Sequence, residues 1–206
     1  MTKQGIIDKV RTIMNETGAE TSFSLISEDT VKLSVYIESV IPDAVNILST
    51  LEDVDPSLLL TGNTSSSLES NSDGCTIVLL PADYLRFVSL RLSGWKREVQ
   101  LVFPYGGDDY KIQHNPITRG GVNKPSCVYA YSSSGRCIEC FPSGSLLYFH
   151  YVKSITTADD NTLSGLSDRL IASICYMCAY LVYNIYENPN TGKQMYDIAL
   201  QNMPKL

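Results

Sequence analysis

The sequence has 206 residues, of which 44% are hydrophobic and 18% charged, so the chain can bury the core of one domain, alone or with an insertion. This composition excludes an intrinsically disordered protein, and a formal net charge of −6 argues against a general nucleic-acid binder. The longest apolar-rich run, residues 171–183, is too short to cross a bilayer, so no contact with a membrane is expected.

Two helices are predicted at the start of the chain. Residues 2–16 place apolar side chains on one helical face, and Gly18 follows as a stop. Ser27 predicts the N-cap of a second helix, because carboxylates follow it in the first turn. Its apolar stripe continues to Leu51 across Pro42, so we expect one helix with a kink.

Residues 53–74 are predicted to form an exposed connector, because the run TGNTSSSLESNSDG is polar, small and rich in turn formers. After it the apolar period drops to two, which indicates β-strands separated by glycine-bearing turns. We expect an antiparallel meander with strands at 75–80, 85–92, 98–103, 128–131, 136–141 and 146–153.

The stretch LLPADYLRFVSLRL, residues 79–92, combines a helix-like start at Pro81 with strand-like alternation after Leu85. Pro81 fixes its own φ angle, and Asp83 favours a turn. We interpret the stretch as a strand, a tight Pro-Ala-Asp corner and a second strand.

The helical period returns at the end of the chain. An apolar stripe from Leu163 to Ile185 predicts one long helix, and a last helix is expected over residues 191–203. The predicted fold class is therefore α+β. A helical bundle made of residues 1–52 and 158–206 carries an inserted antiparallel β domain, residues 75–157.

Three tyrosines of the long helix, Tyr176, Tyr180 and Tyr183, cluster almost opposite its Leu and Ile stripe at about 100° per residue. A second face that has apolar rings and polar tips suits an interface with another chain. The alternative is that both faces pack inside the molecule, one on helices and one on the β domain.

The cysteine pairs at 137/140 and 175/178 form a CxxC…CxxC pattern. Zinc is the usual interpretation of that pattern. Here one pair lies in a predicted strand and the other in an apolar helix, so we expect buried structural thiols and no metal. The chain has two histidines and lacks a serine elbow, a P-loop or a dinucleotide fingerprint. We therefore expect neither an enzyme nor a cofactor.

Positive charge is concentrated between Pro81 and Lys124, where seven basic residues accompany four acidic ones; this segment carries +3 and the remainder of the chain −9. Trp95 lies within this segment, and single-strand binders combine such aromatic rings with cations to stack bases. A nucleic-acid-binding module is therefore the alternative function. We expect Trp95 instead to pack on the sheet after the Ser93-Gly94 turn.

Several short patterns occur in an order that resembles a known family. They are IPDAVNIL (41–48) in the second helix, LPADYLRF (80–87) in the β stretch, and YDIALQNM (196–203) after a late helix rich in Ala and Tyr. Their succession resembles the tail-adaptor proteins of short-tailed bacteriophages, the gatekeeper or tubular-tail-A type of head-to-tail connector. GWKREV (94–99) and QHNPITRGG (113–121) are similar to the ring proteins of crAss-like phages.

The resemblance implies a structural protein of the virion neck or tail, assembled in the host cytoplasm. It implies a ring of twelve copies that docks beneath the portal protein, contacts other tail or neck ring proteins, and surrounds the exit channel for double-stranded DNA. The tyrosine face would then lie at a subunit or layer contact. Terminal extensions often dock on the portal in such families, which implies that role for Asn202, Met203, Pro204, Lys205 and Leu206.

Overall fold

The computed structural model describes residues 2–14, 33–63, 68–70, 74–186 and 188–204. Within these ranges the chain contains six α-helices and eight β-strands, which confirms the α+β class. It divides into two compact units. The helical unit comprises Met1–Leu60 and Ser154–Leu206, and the β unit comprises Thr61–Lys153.

Five helices belong to the helical unit, and one short helix, α3, belongs to the β unit. Their bounds are α1 Lys3–Ile13, α2 Leu33–Ser49, α3 Asp108–Gln113, α4 Asp160–Ser164, α5 Asp168–Ile185 and α6 Pro189–Gln201. Helix α2 continues through Pro42, as the apolar stripe predicted. The predicted N-cap at Ser27 lies outside the described residues.

The first helix is fixed at its N-terminus by side-chain caps and charges. The Thr2 hydroxyl accepts a hydrogen bond from the Gly5 amide at 3.2 Å. The Lys3 amide donates to the Asp160 carboxylate at 2.6 Å, and its ammonium group pairs with Glu38 at 2.6 Å. These contacts join α1 to α4 and to α2.

The predicted helix from Leu163 to Ile185 is wrong at its start, because the chain forms two helices there. Helix α4 ends at Gly165, and Ser167 caps α5 by accepting a hydrogen bond from the Arg169 amide at 3.3 Å. A cap of this kind begins a new helix even where the apolar spacing continues.

Helix α5 lies at the centre of the helical unit and packs against α1, α2 and α6. Its buried face is wider than the predicted stripe, because Ile171, Cys175 and Met177 are buried beside Leu170 and Ile174. Apolar residues of α1 and α2 complete this core: Ile6, Ile7, Val10, Ile37, Ile41, Ala44, Val45 and Leu48.

The side chain of Asn46 binds the backbone of Ile155, two residues after the end of β8. It donates to the Ile155 carbonyl at 2.8 Å and accepts from the Ile155 amide at 2.9 Å. Both backbone groups of Ile155 are thereby satisfied without a regular element.

Two sheets make up the β unit. The strands are β1 Thr61–Asn63, β2 Leu68–Ser70, β3 Thr76–Leu79, β4 Tyr84–Leu92, β5 Val102–Phe103, β6 Ser126–Ser132, β7 Gly135–Phe141 and β8 Leu146–Lys153. One sheet has the order β1-β8-β4 and the other β2-β3-β7-β6-β5. The predicted meander is wrong, because β3 and β4 lie in different sheets and β5 pairs with β6 in parallel.

The Pro-Ala-Asp corner is confirmed and moves the chain from one sheet to the other. The Tyr84 amide donates to the Pro81 carbonyl at 3.0 Å, which closes a four-residue turn. The Asp83 carboxylate accepts a hydrogen bond from the Tyr151 hydroxyl at 2.9 Å. Burial and this bond raise the pKa of Tyr151 to about 12.

Two other predicted segments differ from the structure. Residues 53–74 hold more than an exposed connector, because β1 and β2 lie there and Val54 and Leu59 are buried. The predicted strand over 98–103 is reduced to β5 and an isolated bridge between Val99 and Leu90. Pairing with neighbouring strands, which local sequence does not encode, decides both cases.

The core of the β unit is formed by buried side chains from strands of both sheets and from the stretch between β4 and β5. It includes Val78, Leu90, Leu92, Trp95, Val99, Val102, Cys127, Ile138, Cys140, Phe149 and Tyr151. Trp95 is buried and donates its indole N–H to the Pro142 carbonyl at 2.9 Å, which confirms its role as a packing residue.

Candidate interaction surfaces

The tyrosine face of α5 is half-buried at Tyr176, Tyr180 and Tyr183. The ring of Tyr180 lies 5.1 Å from the ring of Tyr196 on α6. Gly192 allows this approach, since a Cβ atom there would lie 3.1 Å from Asn184 Oδ1 and 3.5 Å from Tyr183 Cβ. Helix α6 therefore covers part of the face, and all three tyrosines keep part of their surface exposed.

The C-terminal tail begins with two residues that belong to the helical unit. Asn202 donates its side-chain amide to the Ile198 carbonyl at 2.9 Å and ends α6. Met203 is only 6% exposed, so it packs in the unit, and Pro204 is half-buried. Lys205 and Leu206 lie outside the described residues.

All six cysteines are free and buried, as expected for structural thiols. The Sγ atom of Cys140 on β7 lies 3.6 Å from the Sγ atom of Cys127 on β6. Cys175 and Cys178 lie within α5. Burial raises the pKa of Cys175 to about 11 and those of Cys140 and Cys178 well above the ordinary value. Burial of these three thiols therefore disfavours the thiolate form, which zinc binding and nucleophilic attack both require.

His114 fixes the end of α3 on the sheet. Its Nε2 atom lies 3.0 Å from Glu139 Oε2, and its ring contacts the rings of Tyr110 and Phe141 at centroid distances of 4.4 and 5.6 Å. His150 lies in β8, as predicted, and stacks on Tyr148 at 4.9 Å. Across the described ranges, no three His, Cys, Asp or Glu side chains come together in a way that could hold a metal.

A groove of about 750 Å³ opens in the β unit between two stretches of the chain. One wall is the extended stretch from Arg97 to Phe103, and the other runs from Asp109 on α3 to Ser126 at the start of β6. We call it the loop groove. The groove is not evident from the sequence, because its walls come together only when β5 pairs with β6.

Buried Gln113 holds the second wall of the loop groove. Its Oε1 atom accepts hydrogen bonds from the Gly120 amide at 2.8 Å and from the Ser126 hydroxyl at 2.5 Å. Gly120 is required there, since a Cβ atom would lie 2.5 Å from Ser126 Oγ and 2.9 Å from the Lys124 carbonyl. The loop is therefore built around one buried amide group.

The loop groove presents both cationic and apolar side chains. Arg97, Arg119 and Lys124 line it, as do the carboxylates Glu98 and Asp109. Leu101 and Ile112 line it as well and are 66% and 43% exposed. The signal that could have found the groove is the concentration of basic residues between 96 and 124 among exposed apolar ones.

A family model described as SU10 adaptor protein matches residues 1–205 of the chain. The chain belongs to this family of phage adaptor proteins. A search of curated proteins found no match. The resemblance to bacteriophage tail adaptors is confirmed at this level, and the family is one of structural proteins, not of enzymes.

As a phage adaptor, the protein is part of the virion and interacts with other virion proteins such as the portal or the tail. No helix in the described part of the adaptor is long and apolar enough to cross a membrane. In the described part of the chain, the partly exposed tyrosine face and the loop groove are candidate surfaces for such contacts.

Proposed function

We propose that this adaptor forms a closed ring of twelve copies that docks beneath the portal and surrounds the DNA exit channel. In this proposal it is a connector of the gatekeeper or tubular-tail-A type, related to the ring proteins of crAss-like phages and assembled in the host cytoplasm. The family match over residues 1–205 carries the proposal. The next tail or neck ring is its second neighbour.

The distribution of charge supports a channel role. Outside Pro81–Lys124 the chain carries a formal charge of −9. An acidic surface repels the phosphate backbone, so double-stranded DNA can slide past without sticking.

The tyrosine face is the proposed subunit or layer contact. Tyr180 already packs on Tyr196, so Tyr176 and the exposed parts of Tyr180 and Tyr183 supply this contact. We expect Tyr176→Ala to weaken ring formation, because truncation of an interface aromatic removes both apolar area and a polar tip. The matched control is Tyr131→Ala, since Tyr131 is an exposed tyrosine of the β unit.

The C-terminal tail is the proposed portal-docking segment. Because Met203 is buried, Asn202 and Met203 position the tail, and Pro204, Lys205 and Leu206 supply the contact. Deletion of residues 204–206 leaves Met203 in place. We expect this truncated chain to form rings and to lose binding to the portal.

The test of the ring is electron microscopy and native mass spectrometry of the purified adaptor, alone and with its portal. We expect closed rings of twelve copies. A strictly monomeric protein that never binds the portal would overturn the proposal.

The loop groove favours a second candidate function, a nucleic-acid-binding module, because Arg97, Arg119 and Lys124 line it. Arg91 is less available, since it donates to the Trp95 carbonyl at 3.2 Å. Salt-dependent binding of DNA by the full chain, lost in Lys124→Glu and accompanied by no ring, would favour this function over the first.

A further inference from the structure

The loop groove lies in the part of the β unit where apolar side chains are most exposed. Leu101 is 66% exposed on one wall, and Ile117, in the loop of the other wall, is 91% exposed. Tyr105, Ile112 and Val122 of the same region are also exposed. A concentration of exposed apolar side chains beside polar and charged ones is typical of a site for another polypeptide.

The charges of the loop groove favour an acidic occupant. Its cations are Arg97, Arg119 and Lys124. These three cations outnumber its two carboxylates, Glu98 and Asp109, and Glu98 also accepts hydrogen bonds from the Tyr148 hydroxyl at 2.7 Å and from the Gln100 amide group at 2.8 Å. The complement of this surface is a segment that carries carboxylates and apolar side chains together.

The shape of the loop groove favours an extended occupant. Val99 uses both its N–H and its C=O group to pair with Leu90 of β4, each at 2.9 Å. In an antiparallel pairing of this kind, the backbone groups of the residues on either side of the paired one point away from the partner strand. A peptide laid along this wall can therefore bond to backbone as well as to side chains.

The chain itself contains a segment of this chemistry, residues 16–29, with the sequence ETGAETSFSLISED. It has four carboxylates and no Lys or Arg, and Phe23, Leu25 and Ile26 lie in its middle. These residues are outside the described ranges, so their sequence alone is the observation.

We propose that the loop groove binds residues 16–29 of a second copy of this chain. The inference deepens the proposed ring and rests on it. A groove on one copy and a segment on the next make a heterologous contact, which generates a closed ring when the rotation between copies closes. The segment would thus link neighbouring subunits in addition to the tyrosine face.

The direct test is binding of a synthetic peptide of residues 16–29 to the full-length chain with Phe23→Ser, Leu25→Ser and Ile26→Ser. These substitutions weaken the receptor's own segment and leave the groove intact. We expect saturable binding by calorimetry that Leu101→Ser or Lys124→Glu weakens at least tenfold. The matched receptor controls are Leu147→Ser and Lys193→Glu, which change exposed residues outside the groove.

A peptide with Phe23→Ser and Leu25→Ser keeps the four carboxylates and tests the apolar contribution. We expect it to bind at least tenfold more weakly. Failure of the unmodified peptide to bind, or equal binding to receptors with and without Leu101→Ser and Lys124→Glu, overturns the inference.

Ring formation by the full chain separates this inference from the proposed function. If rings of wild-type protein and of the Leu101→Ser variant dissociate at the same protein concentration on dilution, the groove contact is wrong and the ring remains. If wild-type protein neither forms rings nor binds the portal, the proposed function fails, and peptide binding alone decides whether the groove binds the segment. A mixture of two variants shows which copy supplies the segment, because the Leu101→Ser chain keeps an intact segment and the chain with Phe23→Ser, Leu25→Ser and Ile26→Ser keeps an intact groove. If the peptide binds but this mixture forms no mixed dimer, the segment occupies its own groove and the second copy is ruled out.

Discussion

The helical unit and the β unit differ in how much apolar surface they leave uncovered. In the described residues of the helical unit, the exposed large apolar side chains are Val35, Ile47 and Ile185. In those of the β unit there are seven: Leu101, Tyr105, Ile112, Ile117, Val122, Tyr131 and Leu147. Both units have well-buried cores, so the difference lies at the surface. The described part of the β unit therefore leaves more apolar side chains open to solvent than that of the helical unit.

The same substitution at one isoleucine in each unit tests this comparison most strongly. Ile174 is 1% exposed in α5, whereas Ile117 is 91% exposed. We expect Ile174→Ala to lower the free energy of unfolding by about 2–5 kcal/mol, because it leaves a cavity. Ile117→Ala should change it by no more than about 0.5 kcal/mol.

Denaturant unfolding of the two alanine variants provides the measurement. A similar loss in both would show that Ile117 is packed, and the comparison between the units would fail.

An effect of similar size concerns the amide that holds the loop groove. Gln113→Leu leaves the Gly120 amide and the Ser126 hydroxyl without their acceptor, at a cost of about 1–3 kcal/mol for each. We expect faster hydrogen exchange in residues 114–126. Gln100→Leu is the control, since Gln100 is exposed and its partner Glu98 keeps the Tyr148 bond.

Two adjacent glycines give a matched test of the same wall. Gly120→Ala places a Cβ atom 2.5 Å from Ser126 Oγ, so we expect overpacking to cost about 1–3 kcal/mol. Gly121→Ala meets no atom within 4 Å and should be neutral. Thermal unfolding of both variants distinguishes them, and equal midpoints would contradict the close packing of this loop.

The smallest effect is a pH dependence at the Glu98–Tyr148 hydrogen bond. This bond lowers the pKa of Glu98 from its ordinary value of 4.5 and raises that of Tyr148 from its ordinary value of 10.0. Ionised Glu98 therefore adds to the free energy of unfolding above pH 4.5, and this stabilisation is lost as pH falls through the lowered pKa. Protonated Tyr148 adds to the free energy of unfolding below pH 10.0, and this stabilisation is lost as pH rises through the raised pKa.

Tyr148→Phe should therefore reduce the free energy of unfolding by about 0.5–1.5 kcal/mol between roughly pH 5 and 9, and by less at either extreme. Solvent screening places the value near the lower end of that range. Tyr131→Phe, at an exposed tyrosine, is the control. A difference between Tyr148→Phe and wild type that does not vary with pH would contradict the ionic character of the bond.

Much of the local structure could be predicted from the sequence. The apolar spacing predicted α1, α2 and α6 and the alternation predicted β3, β4, β6, β7 and β8, because these periods report which side chains are buried. Pro81 predicted a corner between β3 and β4 through its fixed φ angle. The break between α4 and α5 was missed, since the cap at Ser167 interrupts a stripe whose spacing continues.

The candidate surfaces were predicted less completely. The tyrosines on α5 were found from their helical spacing, but their cover by α6 depends on Gly192 and Tyr196, which lie on another element. The sequence showed the basic segment that supplies the cations of the loop groove, but it did not show that the two walls come together. Arg97 and Lys124 are far apart along the chain, and they line one groove because the Val102–Phe103 strand pairs with β6.

The sequence by itself determined the α+β class, most element positions, the burial of the thiols and, through the order of its short motifs, the adaptor family. Each of these depends on local periodicity or on a local pattern of residues. The tertiary structure alone decided which strands pair, where the apolar surface remains open and how Gln113 supports the loop groove. Those properties depend on contacts between residues distant in sequence, which a local pattern does not specify.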